Sequence, residues 1–195
     1  MRRIVIAAAG LLLAAGCGNS SSADEPLGVP VPAPASTLPP SPMVSKPGPQ
    51  TGYLDRIKYQ LQEKTVVMAN LSRRTSARCE PNGMTGAAGE EIMCTVGYDG
   101  LKLVWKITVT KADQTGLALD ARPSGAVLTR EGVFAAFHQQ FGPEGRDLRC
   151  DDMPKRELVS LGKDTDYRCQ YQEEGGGRVT FRVGISEGGP VFEEA

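Results

Sequence analysis

Several things are scarce in this 195-residue chain. Aromatic side chains make up 6% of it, with one tryptophan and one histidine. The formal charge sums to −1, so no basic field draws a polyanion, and nucleic acid is not an expected partner. No apolar run reaches the roughly 20 residues that a membrane-crossing helix needs. The lone His138 falls on a predicted helix beside Phe137, with no nucleophile or orienting carboxylate near it in sequence. It reads as an ordinary helix residue and not as a general base. No catalytic residue, metal-ligand set or cofactor motif is read from the sequence, and a hydrolase built on His138 is the least favoured function.

Cysteines number five, an odd count. Four of them, Cys79, Cys94, Cys150 and Cys169, lack the close C-x-x-C spacing of zinc sites, and bridges Cys79–Cys94 and Cys150–Cys169 are expected in an exported chain. The fifth is Cys17. Residues 1–16 have a basic start (Arg2, Arg3), a short apolar run from Ile4 to Ala15 and small residues at the end, which is the pattern of an export signal. Leu13-Ala14-Ala15-Gly16-Cys17 resembles the lipobox of bacterial lipoproteins. That resemblance implies a diacylglycerol on the Cys17 thiol, cleavage before it and acylation of the new amino terminus. The expected location is then the outer face of the cell membrane, held there by acyl chains.

Between Gly18 and Gln50 the chain holds nine of the fourteen prolines and no Phe, Tyr or Trp. Such a segment buries too little apolar surface to offset its ordering entropy, so residues 17–50 are expected to form a disordered Pro/Ser-rich tether.

Order is expected from Thr51. Leu54, Ile57, Leu61, Thr65 and Met68 recur at helical spacing to near Asn70, with Thr51 as N-cap. Arg73, Arg74 and Arg78 follow in what reads as a solvated connection. Cys79 ends a short strand. Ile92, Cys94, Val96 and Tyr98 then alternate with more polar neighbours, Asp99-Gly100 supplies a tight turn, and Leu101, Leu103, Trp105, Ile107 and Val109 alternate again: a β-hairpin. Trp105 belongs to its core face. Leu117–Ala121 is a further strand, and Arg122-Pro123-Ser124-Gly125 closes a first unit, residues 51–125. A Cys79–Cys94 bridge closes a loop of about 15 residues, worth roughly 3 kcal/mol on the chain-entropy account.

Residues 126–195 repeat the order. Thr129 caps a helix with Val133, Phe134, Phe137 and Phe141 on one face, and Gly142-Pro143 stops it. Cys150 is followed by a polar loop, then by a strand around Cys169, the turn Glu173–Gly177 and the alternating Val179, Phe181, Val183 and Ile185. Pro190–Phe192 is an edge strand. Asp151, Asp152, Asp164 and Asp166 read as a solvated acidic loop, since the twelve-residue calcium pattern is missing, and Gly175–Gly177 reads as a hairpin loop and not a phosphate cradle. The fold class is α+β: two tandem units, each a helix on an antiparallel sheet of three to four strands with one disulfide.

The order helix, Cys79-Glu80-Pro81, Gly89, Met93-Cys94-Thr95-Val96 and Ile107-Thr108-Val109-Thr110 resembles a family of short extracellular domains of unknown function in actinobacterial lipoproteins and membrane proteins. Glu80 stands between cysteine and proline where the family has them adjacent, and the second copy has Cys150-Asp151-Asp152 instead. The resemblance implies an α+β fold and an envelope location, with no known activity. The tandem arrangement is also similar in architecture to secreted β-lactamase inhibitors. The expected function is therefore a non-enzymatic, lipid-anchored envelope protein that binds an envelope protein or cell-wall partner, with a protein-inhibitor module as the alternative.

Overall fold

The computed structural model describes residues 26–36, 38–113 and 116–195; the expected export signal and Cys17 lie outside them. The fold is mixed α+β. In chain order the elements are β1 (Val29–Pro30), α1 (Tyr53–Ala69), β2 (Thr75–Glu80), β3 (Glu91–Tyr98), β4 (Leu101–Asp113), β5 (Gly116–Pro123), β6 (Ala126–Thr129), α2 (Arg130–Phe141), β7 (Arg146–Cys150), β8 (Arg156–Val159), β9 (Asp164–Gln172), β10 (Arg178–Ser186) and β11 (Gly189–Glu194). Three antiparallel sheets result, ordered β2-β3-β4-β5, β1-β7-β9-β10-β11 and β6-β8.

Alternation in the sequence sets the first sheet. Ile92, Cys94, Val96 and Tyr98 on β3 and Leu103, Trp105, Ile107 and Val109 on β4 are all buried. Asp99 and Gly100 both take positive φ, 45° and 89°, the geometry of a type I′ hairpin turn, in which glycine carries no steric cost. Two pairs of polar side chains are buried against this sheet. The Trp105 indole donates to Thr65 Oγ1 (3.3 Å), and Thr75 Oγ1 donates to Gln62 Oε1 (2.8 Å). Tyr98 donates its hydroxyl to the Leu71 carbonyl at 2.7 Å. Burial is the main cause that drives its phenol far above the ordinary range.

All five phenylalanines of the chain fall between positions 134 and 192. Phe137 and Phe141 of α2 meet Phe181 and Phe192, with Phe141 and Phe181 at 4.4 Å between centroids and Phe137 and Phe192 at 5.1 Å. Tyr171 stacks on Phe141 at 5.5 Å. The scarce rings are thus concentrated under one helix, where geometric contact between them adds to area burial.

The two helices meet end to end. Thr129 caps α2, accepting from the Gly132 N–H (3.0 Å), and donates the same hydroxyl to the Ala69 carbonyl at the end of α1 (2.7 Å). Asn70, in the left-handed conformation that closes α1, donates its amide to the Gly132 carbonyl at 2.9 Å. A Cβ on Gly132 would collide with the Ala69 carbonyl. Around this junction the buried side chains of both halves form one continuous cluster. α1 packs on β2 and β3 and also on β6 and β11, while the β6–β8 ribbon touches β10 through β6 and β4 through β8.

Several expectations are corrected. The N-cap of α1 is Gly52, with no side-chain cap, and not Thr51; Asp55 in the first turn faces the helix dipole instead. The polar loop after Cys150 contains β8, and β6 precedes α2, both missed because a four-residue strand leaves almost no period to read. The expected unfolded tether also differs over its second part. Val29–Pro30 pair with Cys150 and Arg149, and Met43 N–H donates to the Arg73 carbonyl at 3.1 Å. Docking here uses backbone hydrogen bonds along an edge, which the scarcity of apolar side chains does not forbid; proline is tolerated on such an edge.

Gly132→Ala is expected to lower unfolding free energy by about 1–3 kcal/mol through overpacking against backbone, read from urea midpoints at constant slope. Tyr98→Phe is expected to cost about 1–2 kcal/mol by leaving the Leu71 carbonyl unpaired. Because the folded phenol holds its proton more tightly, wild-type stability is full below pH of about 10 and falls as pH rises from the unfolded phenol's value toward the folded one. The phenylalanine variant is expected to lose that part of the alkaline slope, seen in thermal melts from pH 8 to 11.

Candidate functional site

Every cysteine of the described residues is bridged. Cys79 pairs with Cys94 and Cys150 with Cys169. In each case the two residues face each other across neighbouring antiparallel strands, β2 with β3 and β7 with β9. All four are buried, so the bridges staple strands from inside the core and present no reactive sulfur to solvent.

The other residues singled out in the sequence take plain positions. Trp105 is fully buried. His138 is half-buried in the last turn of α2, and its ring lies against Gly142. Gly175 and Gly176 form the β9–β10 turn. The four aspartates are not gathered. Asp151 pairs with Arg168, Asp152 with Arg130 and Asp164 with Arg182. Arg73 meets Glu131 at 2.8 Å and Arg78 meets Glu80 at 3.3 Å. Among the described residues no group of three or more His, Cys, Asp or Glu is placed to hold a metal ion.

One hollow that the sequence reading missed is partly open to solvent. It lies between β8 and the start of β9, has a volume of about 210 Å³ and is lined by Glu157, Ser160, Lys163, Asp166 and Tyr167 among others. Two features build it. β8 leaves β6 and the chain turns back at Gly162, whose N–H donates to the Ile185 carbonyl (2.8 Å). Thr165 then ties β9 to β10 by donating to the Val183 carbonyl (2.7 Å), and its hydroxyl accepts from the Tyr167 N–H (3.2 Å). This fixes Tyr167 against Glu157. The Tyr167 phenol is raised above its ordinary value, first by its polar contact with the Glu157 carboxylate, then by loss of solvent and by the charges of Glu157 and Asp166. Glu157 Oε1 is buried with no hydrogen-bond partner. A hollow with this lining offers acceptors to a positively charged or hydrogen-donating group. The signal that could have revealed it is the density of titratable residues from Glu157 to Tyr167.

A second anchored loop runs from Pro81 to Glu90. The Glu90 carboxylate accepts from Thr85 N–H (3.0 Å), Thr85 Oγ1 (2.9 Å) and Gly86 N–H (2.8 Å). The backbone hydrogen bond from Thr85 is the first cause that lowers its pKa below the ordinary carboxylate value.

Among the described residues, no helix is long and apolar enough to cross a membrane. No family model, no curated protein and no solved structure matches this chain.

Two outcomes are expected. Glu157→Gln should bring the Tyr167 phenol back toward the ordinary value, read as an earlier onset in ultraviolet phenolate titration. The Glu90 contribution should be present above the ordinary carboxylate range and vanish as pH falls through the lowered folded value. Protection of the Thr85 and Gly86 amides, taken relative to their intrinsic exchange and with Ile107 as reference, should fall on acidification and in Glu90→Gln at neutral pH.

Proposed function

We propose that this chain is a lipid-anchored cell-envelope protein that acts by binding and not by turnover. One observation carries the reading. Both bridges are satisfied within the folded body, so Cys17 is the one cysteine left over from five, and it stands where the lipobox resemblance puts the acylated residue. Buried disulfides fit an oxidising, extracytoplasmic compartment. A further part of the proposal is that residues 51–125 and 126–195 are two copies of one unit, related to the short Cys…Cys domains of actinobacterial lipoproteins. What supports it is the shared order of helix, cysteine strand, partner cysteine strand and two further strands, with β6 and β8 added in the second half. The binding surface we favour is the hollow at Glu157 and Tyr167. Its expected partner is an envelope protein or cell-wall component carrying a positively charged group.

Mass analysis of the full-length protein from a bacterial membrane fraction is the test. Cleavage before residue 17 with a mass increment for two or three acyl chains is expected, and Cys17→Ser should move the protein out of the membrane fraction. A chain recovered with an unmodified Cys17 overturns the anchor. Non-reducing digestion should return Cys79 with Cys94 and Cys150 with Cys169.

A further inference from the structure

The segment just after the proposed anchor is gripped by a set of groups that recognise its backbone. Val29 and Pro30 form β1 on the outer edge of β7, and the ladder continues with the Val31 N–H donating to the Leu148 carbonyl at 2.8 Å. Arg149 donates from Nε to the Leu27 carbonyl (2.6 Å) and from Nη2 to the Gly28 carbonyl (2.9 Å). Gln170 is 2% exposed; with its amide turned to suit both neighbours, its oxygen accepts from the Leu27 N–H (2.6 Å) and from Arg178 Nη1 (3.2 Å). Asp147 accepts from Arg178 (3.1 Å) and lies 3.5 Å from Arg149, so the guanidinium that holds the strap is itself positioned. Gly28 is pinched. A Cβ there would stand 2.8 Å from the Cys150 carbonyl oxygen and 3.0 Å from the Asp152 nitrogen, both backbone atoms that cannot step aside. Peptide groups, and not side chains, are therefore what this edge selects.

We infer that Leu27–Val31 is a latch that shortens the leash between the acylated Cys17 and the folded body. The inference rests on the anchoring proposed above. With the latch closed, Cys17 and the first gripped residue, Leu27, are ten residues apart, a reach of roughly 30 Å at ~3.1 Å per residue. With it open, the next hydrogen bond to the body among the described residues is at Ser41, whose N–H donates to Ser72 Oγ (2.9 Å). That is 24 residues from Cys17 and a reach of roughly 75 Å. The closed latch keeps the body against the bilayer, with the β7 edge on the near side. Its partner is then a membrane-proximal protein and not the outer layers of the wall. Opening requires only that an extended strand of another protein take the β7 edge in place of β1, the mode of recognition by strand addition.

The test uses the full-length lipidated protein in phosphatidylglycerol-containing vesicles, with a fluorophore at the C-terminus and an acceptor dye in the bilayer. Wild type is expected to show strong transfer and a protected Val31 amide. Gly28→Val and Arg149→Ala are each expected to speed Val31 exchange at least tenfold, leave Ile107 exchange unchanged and reduce transfer. A wild-type Val31 that exchanges like a free peptide overturns the latch, as does unchanged transfer in a variant whose Val31 has opened. A chain found without acyl groups overturns the leash together with the anchor. Mass distinguishes that failure from failure of the latch, since Val31 would still be protected.

Discussion

The contact on which the rest depends is the meeting of two helix ends. The last carbonyls of α1 and the first N–H groups of α2 are groups that no helix can satisfy by itself. Here they are placed together, and Thr129 and Asn70 each reach across the gap. The negative end of one macrodipole faces the positive end of the other. Only glycine at position 132 lets the backbones come so close. Because α1 belongs to the first half of the chain and α2 to the second, this junction sets the orientation of everything attached to either helix.

From the junction outward, the halves solve the problem of a small core differently. The first surrounds one indole with aliphatic side chains and a chain of buried hydroxyl and amide pairs. The second places most of its aromatic surface between α2 and three strands. Each adds a bridge between register partners. A chain of this size buries a smaller fraction of its surface than a large domain does, and α1 compensates by packing on strands of both halves.

Long alternating runs were the most legible part of the sequence. The hairpin from Glu91 to Asp113, the strand holding Phe181 to Ile185 and the face of α2 all show their period over enough residues to be read, and the Thr129 cap lies where its side chain predicts. The cysteines pair as expected from their order along the chain, and the register places each pair face to face. What stayed hidden was set by tertiary partners. β6 is four buried residues whose ladder partner lies some thirty positions away. β1 is ordered by Arg149 and Gln170, which no local rule connects to a proline-rich stretch. The hollow at Glu157 needs β8 and β9 to be folded beside each other before its acids converge.

The β6–β8 ribbon also bears on how such a chain is made. Synthesis runs from the amino terminus, and when β6 is complete its mate β8 has not yet been made, since it lies within the span enclosed by Cys150 and Cys169. The carbonyl of Ala69 waits for Thr129 in the same way. Closure of the core is therefore an event of the completed chain, because the buried cluster draws on both halves.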